Sequence, residues 1–324
     1  MFLCFFYKIR FYATILINFR IRYHSAIHLL SKIPMYTQKI LQQKISNITI
    51  WRKGDNRAPH KPLLLLLALS EYRKGHPRLF NYGNEIHQQL LELLMNFGPS
   101  RREHYPNLPF WRLVRDGFWE LQLPKESDLS KDNKQPSKNK LIQQNVLGGF
   151  DQESYQLLIK KPNLINKLAQ QILSEHFPDN VQDVIANRLD FPLQEIRQNR
   201  DPTFRKNILR AYNYQCAICG YNLRYDSAVV GLEATHIKWK QFGGPCTINN
   251  GLALCALHHS AFDMGAISID DNMKLLVSSG VNGNQMVEQL FWQFSNKVIG
   301  LPKNTKEHPK DTFIHWHREQ VFKL

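Results

Sequence analysis

The chain has 324 residues, more than the roughly 100–200 of a typical single domain, so two domains with a connector are expected, each large enough for its own apolar core. Lys and Arg number 42 against 27 Asp and Glu, a net charge of +15, which favours polyanionic partners: nucleic acid first, an anionic membrane surface second. Five cysteines, an odd number without regular spacing, exclude a small secreted disulfide scaffold and read as a cytoplasmic protein.

Residues 1–34 differ from all that follows. They are rich in Phe, Ile and Tyr, contain no acid, and carry Lys8, Arg10, Arg20, Arg22 and Lys32. They lack the clean apolar stretch and cleavage site of a signal peptide and the about 20 uncharged residues of a membrane span. The expectation is an upstream extension, with translation starting at Met35 and no membrane partner; a transit peptide is the alternative. The net charge stays strongly positive without it.

An amphipathic stretch from Met35 to Ile48 is followed by Trp51-Arg-Lys-Gly-Asp-Asn-Arg57-Ala-Pro-His60-Lys61-Pro62 and five consecutive leucines. This apolar run, to Tyr72, reads as a buried helix opened by Pro62. Glu85 to Phe97 predicts a second helix stopped at Gly98-Pro99. Arg101-Arg102-Glu-His104-Tyr105-Pro106-Asn-Leu-Pro109-Phe110-Trp111-Arg112 then leads to Asp116-Gly117 and Phe118-Trp119, where aromatics around an Asp-Gly turn predict a short hairpin. Residues 124–140 are polar and read as an exposed loop. Helical periodicity resumes from Leu141 to Leu173, broken at Gly148-Gly149 and Pro162. The domains expected are 35–175, mainly helical, a linker over 176–200, and an α+β domain over 201–324.

The chemistry concentrates in the last domain. In Cys216-Ala-Ile-Cys219-Gly220 two intervening residues let both sulfurs reach one tetrahedral ion. Cys255-Ala-Leu-His258 puts a thiolate and an imidazole on one helical face. Together they offer a Cys3His site; a redox pair or buried thiols are the alternatives. Between the two knuckles, Ala228 to Trp239 reads as a strand containing Glu233 and His236, Gly243-Gly-Pro245 as a loop with the thiol of Cys246 in it, and Asn249-Asn250-Gly251-Leu-Ala-Leu as the return. Tyr214, Trp239 and Phe262 read as packing residues.

These residues, Glu-Ala-x-His-Ile followed by Asn-Gly-Leu-x-Leu-Cys-x-x-His-His-x-x-Phe-Asp, resemble the zinc-containing branch of the HNH, or ββα-metal, nucleases. The resemblance implies a structural zinc on Cys216, Cys219, Cys255 and His258, and a catalytic Mg2+ or Mn2+ beside it. It implies His236 as general base, Asn250 as the residue that fixes the loop, and His259 as ligand of the catalytic metal. An imidazole neutral near pH 7 can take a proton from water. Thr235 stands where many members place a second metal ligand; Glu233 is the first candidate to replace it and Asp263 another.

The N-terminal segments Arg57-Ala-Pro-His60-Lys61-Pro, Phe97-Gly-Pro-x-Arg-Arg, His104-Tyr105-Pro106-x-x-Pro109-Phe-Trp-Arg and Gly148-Gly-Phe resemble the sulfur-binding domain of phosphorothioate-dependent, McrA-like restriction endonucleases, and Phe313-Ile-His-Trp316-His317 also fits that family. By motif, Tyr105, Pro106 and Pro109 would wall an apolar concavity for the sulfur, and His60 and Lys61 would supply neighbouring polar contacts. Arg52, Lys53, Arg101 and Arg102 would meet phosphates of double-stranded DNA. Lys61 in place of an Arg removes a bidentate phosphate contact. The function implied is a restriction endonuclease for phosphorothioate-modified DNA. An HNH nuclease reading a modified base would instead require an aromatic cage, for which Trp111 and Trp119 are candidates; a non-catalytic zinc module would have no use for His236, Asn250 and His259 in register. One HNH centre cuts one strand at a time, so a homodimer is a natural arrangement for cutting both.

Overall fold

Five consecutive leucines leave no polar stripe on a helix, so such a helix must be covered on every side. The structure, a computed structural model, describes residues 37–50, 57–125, 127, 129, 135–192 and 202–324; the extension over 1–34, and Arg52 and Lys53, lie outside these residues. Helix α1 (Gln38–Ser46) buries Leu41 and Ile45, one turn apart. Helix α2 (His60–Arg73) carries the leucines, all of them buried, and Pro62 sits in its first turn, where a missing N–H leaves no hydrogen bond unmade. Strand β1 (Phe80–Asn81) leads through a π-helical turn into α3 (His87–Phe97), which ends at Gly98. There follow α4 (Asn107–Arg112), β2 (Trp119–Gln122), α5 (Lys138–Gln143), β3 (Leu147–Phe150), α6 (Gln152–Lys160) and α7 (Pro162–His176). Helices α3, α4 and α7 cover α2, and the strands form an antiparallel sheet in the order β1-β3-β2.

Two local expectations are corrected here. The segment before Asp116-Gly117 is helical, so no hairpin forms across that turn; β2 pairs with β3 instead, Trp119 opposite Phe150. That pairing sets Trp119 edge-on to both Phe150 and Phe110, burial that a local hairpin would not provide. Gly148 and Gly149 do not merely interrupt a helix but occupy the central strand. A Cβ on Gly149 would lie 2.1 Å from the carbonyl oxygen of Arg78 and 2.8 Å from the hydroxyl of Tyr72. The close approach lets Tyr72 donate to Arg78 O at 2.6 Å and accept from Phe150 N at 3.0 Å, which pins the sheet to α2.

The stretch expected as a connector, 176–200, contains helix α8 (Asp179–Arg188), with Val181 and Ile185 buried; residues 193–201 lie outside the description. Helix α9 (Pro202–Ala211) and the small ribbon β4 (Arg224–Tyr225) and β5 (Ala228–Val229) follow. The single strand expected from Ala228 to Trp239 is broken at Gly231, whose φ of +64° turns the chain before β6 (Leu232–His236). Strand β6 pairs antiparallel with β7 (Gly251–Cys255), His236 opposite Gly251 and Leu232 opposite Cys255. Helix α10 (Ala256–Asp263) follows at once and packs on this hairpin, giving a ββα unit backed by α9. Strands β8 (Ile267–Ile269) and β9 (Leu275–Val277), α11 (Gln285–Leu290) and α12 (Asp311–Gln320) complete the chain.

The described residues from 41 to 324 form one compact unit. Arg57, 2% exposed, binds the two halves: its backbone N–H donates to Gln320 Oε1, its guanidinium donates to Gln320 O and Phe97 O, and it lies 4.1 Å from the centre of the Trp239 ring. Among the described residues no helix is long and apolar enough to cross a membrane.

Gly149→Ala is expected to lower unfolding free energy by about 2 kcal/mol or more, since backbone oxygen rather than a movable side chain opposes the new methyl group. Urea denaturation followed by tryptophan fluorescence measures this; an unchanged midpoint would remove the steric account of β3.

Candidate active site and metal centres

The hairpin–helix unit brings four soft donors together. Cys216 and Cys219 come from the turn after α9, Cys255 from the end of β7 and His258 from the first turn of α10, and their ligand atoms lie within 4.8 Å of one another. The His258 Nδ1 atom is 3.1 Å from Cys255 Sγ and 3.6 Å from Cys216 Sγ, while its Nε2 lies 2.8 Å from Leu290 O. A carbonyl can only accept, so Nε2 carries a hydrogen and Nδ1 is the atom turned to the sulfurs, as in an imidazole that binds a metal through Nδ1. Hydrogen bonds from Cys219 and Cys255 pull the Cys216 thiol well below its ordinary range. Burial opposes a charged His258, but the same sulfurs raise its pKa to about 10. Three sulfurs and one nitrogen in reach of a point, with the Cys216 thiol drawn toward thiolate, fit a tetrahedral zinc ion.

On the other side of the hairpin a cleft opens, lined in part by His236, Arg205, Lys240, Cys246, His259 and Asp263. His236 closes β6, and its ring stacks on Phe204 of α9 at 4.1 Å and 14°, which fixes the imidazole plane; its Nε2 lies 3.4 Å from Cys246 Sγ. Asn250 does not reach into the cleft. It is fully buried, accepts from Lys238 N at 2.8 Å, and donates to Lys238 O at 3.0 Å and Pro245 O at 2.9 Å. Both amide hydrogens and the oxygen are thus used in tying down the loop that follows His236. Gly244 completes the closure, because a Cβ there would lie 1.8 Å from Lys238 O.

His258 and His259 diverge as neighbours on a helix do, about 100° apart. His259 meets Glu233 Oε2 through Nδ1 at 2.5 Å and Asp263 Oδ2 through Nε2 at 3.1 Å. Burial disfavours its charged form, yet Asp263 and Glu233 outweigh that and raise its pKa to about 9. Asp263, one helical turn on, is 4% exposed and also accepts from Asn180 Nδ2 at 3.0 Å. Of the two carboxylates, Asp263 lines the cleft and Glu233 does not. His259 and Asp263 therefore share the cleft with His236, an imidazole and a carboxylate that fit a hard divalent cation, while Glu233, at Nδ1, can accept its hydrogen. Thr235 is fully buried and lines no part of the cleft.

A second, larger cleft lies between the 100–108 loop and the start of α5. Arg101, Arg102, His104, Tyr105, Pro106, Lys138 and Lys323 line it. Tyr105 is half exposed and donates to Glu103 at 2.6 Å. Pro106 is buried at the cleft, and Pro109 is buried in α4 and is not among the lining residues. His60 is largely buried outside that lining; burial first, then the charges of Arg101, His104 and Arg112, lower its pKa to about 4, so it is neutral at neutral pH. Lys61, expected as a polar contact beside the sulfur wall, has a partner within the chain. It is 8% exposed and paired with Asp116 at 2.5 Å, because an ammonium taken from water at a helix start requires a carboxylate.

Sequence reasoning missed Phe204 and Asn180, which stand 32 and 79 positions before the histidines they serve; no local pattern connects them. Asp263 was within reach, since four residues after His259 is one helical turn.

Residues 38–192 match the family model of the ScoMcrA-like DNA sulfur-binding domain, and residues 216–270 that of HNH endonuclease. Among solved structures, the sulfur binding domain of ScoMcrA complexed with phosphorothioated DNA is similar over 46% of this chain and 96% of its own, with 21% identity and a TM-score of 0.38. The corresponding SprMcrA complex is similar over 48% and 98%, with 18% identity and a TM-score of 0.39. For the Type IV phosphorothioation-dependent restriction endonuclease ScoMcrA the figures are 46% and 32%, 21% identity and 0.38. No curated protein matches the chain.

Asn250→Ala removes three hydrogen bonds from a buried site, two of them to carbonyl oxygens that would lose their donor. A loss of about 2–4 kcal/mol is expected, with proteolysis appearing between residues 238 and 249. Stability and digestion patterns equal to those of the unaltered protein would show that the loop is held by other means.

Proposed function

We propose that this chain, a DNA endonuclease that joins a ScoMcrA-like sulfur-binding domain to an HNH domain, is a restriction enzyme that binds phosphorothioate-modified double-stranded DNA and hydrolyses its backbone with a divalent metal. One observation carries the catalytic part: His236 and the His259–Asp263 pair line one cleft on a ββα unit.

In this reading a neutral His236 takes the proton from the attacking water. The Phe204 stack holds the ring in plane and Asn250 holds the backbone that follows it. His259 through Nε2 and Asp263 would hold Mg2+ or Mn2+, which supplies charge neutralisation at phosphorus and at the leaving oxygen. Glu233 accepts from Nδ1 and so keeps Nε2 directed at Asp263. Arg205 and Lys240, on the cleft wall, lie where the flanking phosphates would pass. Cys216, Cys219, Cys255 and His258 would hold a structural zinc, which would tie the end of β7 to the turn after α9.

Recognition of sulfur cannot rest on charge, because phosphate and phosphorothioate both carry it. Sulfur is larger and weakly hydrated, so an apolar wall favours it and penalises the strongly hydrated oxygen. Tyr105 and Pro106 supply that wall, with Pro109 buried in the helix that follows, and Arg101 and Arg102 grip the adjacent backbone. His60, uncharged, borders the site without competing for solvated anions, and Lys61 contributes by holding Asp116 and the helix start. The expected place of action is the cytoplasm, and a homodimer would offer one centre per strand.

The test is cleavage of matched plasmids with and without phosphorothioate linkages, in Mn2+ and in Mg2+. Only the sulfur-bearing plasmid should be cut, and His236→Ala should slow cutting by about 100-fold or more while binding is kept. Equal cutting of both plasmids would overturn the sulfur reading; full activity of His236→Ala would remove it as the base. Stripping zinc with a chelator, or Cys216→Ser, should melt the nuclease half, seen as lost helical circular dichroism.

A further inference from the structure

We propose that Asn180, which belongs to the sulfur-binding half, is a positioning residue of the nuclease centre: its amide holds Asp263 against His259, so the reading half completes the cutting half. The residue lies within the 38–192 match and Asp263 within the 216–270 match. Asn180 stands in the first turn of α8, which packs directly on α10. Its Nδ2 donates at 3.0 Å to Asp263 Oδ2, the same oxygen that lies 3.1 Å from His259 Nε2.

Asp263 is 4% exposed, and a carboxylate so withdrawn from water needs donors of fixed direction. The Asn180 amide is a neutral donor, and it sets the rotation of the carboxylate about its Cβ–Cγ bond. An acid at this position would repel Asp263, and an apolar side chain would leave the carboxylate free to turn. A second contact makes the same junction: Gln241, in the loop after His236, donates through Nε2 to Phe177 O at 2.9 Å. Pro178, Asp179 and Asn180 thereby form one wall of the catalytic cleft. His259 is then oriented from both ends, by Glu233 at Nδ1 and by Asp263 with Asn180 at Nε2.

The inference rests on the reading that His259 and Asp263 hold the catalytic cation, and the experiment separates the two. Full-length, zinc-loaded protein without DNA is titrated with Mn2+, the free ion being followed by electron paramagnetic resonance, for Asn180→Ala, Asn180→Leu and Asp263→Asn. Loss of a residue that orients a metal ligand weakens binding about 10-fold or more, so both Asn180 variants are expected to bind Mn2+ about 10-fold more weakly. In cleavage, the Mn2+ needed for half-maximal rate should rise by a like factor while the rate at saturating Mn2+ recovers; a purely structural role would depress that rate as well. The Leu variant keeps the side-chain bulk should the Ala variant lose its fold. If the Asn180 variants match the unaltered protein while Asp263→Asn loses Mn2+, the Asn180 inference falls and the metal assignment stands. If Asp263→Asn also binds as before, both fall.

Discussion

A buried guanidinium with no carboxylate paired to it among the described residues has to be held by carbonyl oxygens and an aromatic face, and that requirement bears on how the two halves of this chain meet. Arg57 precedes α2 in the reading half, yet two of its partners, Trp239 and Gln320, belong to the loop after His236 and to the end of α12. Its third, Phe97 O, is an end carbonyl of α3 that has no partner within the helix. Burial lowers its pKa to about 9, which still leaves it charged at neutral pH, so the cation must keep all three contacts at once. Lys323 repeats the device nearby: it donates to Met95 O at 3.0 Å and to Gly98 O, capping the same helix end from the far end of the chain. Burial and the neighbouring Arg57 lower its pKa to about 8.

Given that junction, the catalytic cleft is a set of rings and carboxylates with little freedom. Phe204 holds one imidazole by stacking, and Glu233 and Asp263 hold the other through its two nitrogens. One residue step on α10 keeps two donor sets apart. His258 belongs with the three sulfurs and His259 with the carboxylates of Glu233 and Asp263, so the soft donors and the hard donors share no residue.

Much of this was legible because it is local. Cys216-x-x-Cys219, Cys255-x-x-His258 and the pair His258-His259 are spaced by the geometry of a knuckle and a helix, and the five leucines announce a buried helix wherever they occur. What failed was also physical. Gly148-Gly149 reads as a break only until Tyr72 and Arg78, 70 or more residues earlier, are seen to need the space a Cβ would fill. The hairpin expected at Asp116-Gly117 lost to a longer-range pairing that buries Trp119 better. The pairing of Lys61 with Asp116, 55 positions away, likewise has no local sign. The stretch over 176–200, read as a connector, supplies Asn180 and a cleft wall; Phe177, Val181, Ile185 and Leu189, four residues apart and all buried, are the helical signal that this reading passed over.

The same junction bears on how recognition is converted into cutting. The basic cleft beside Tyr105 and Pro106 includes Lys323, contributed from beyond α12, and the catalytic cleft includes Pro178 to Asn180, contributed by the reading half. Each site is finished by the other half of the chain. The separation of the two clefts is therefore a property of packing, through Arg57, Trp239 and Trp316 in contact at the centre, and not of a tether's length. In the proposed reading, the reach from a bound sulfur to the phosphodiester that is cut is set by this packing, since residues of both halves line each cleft.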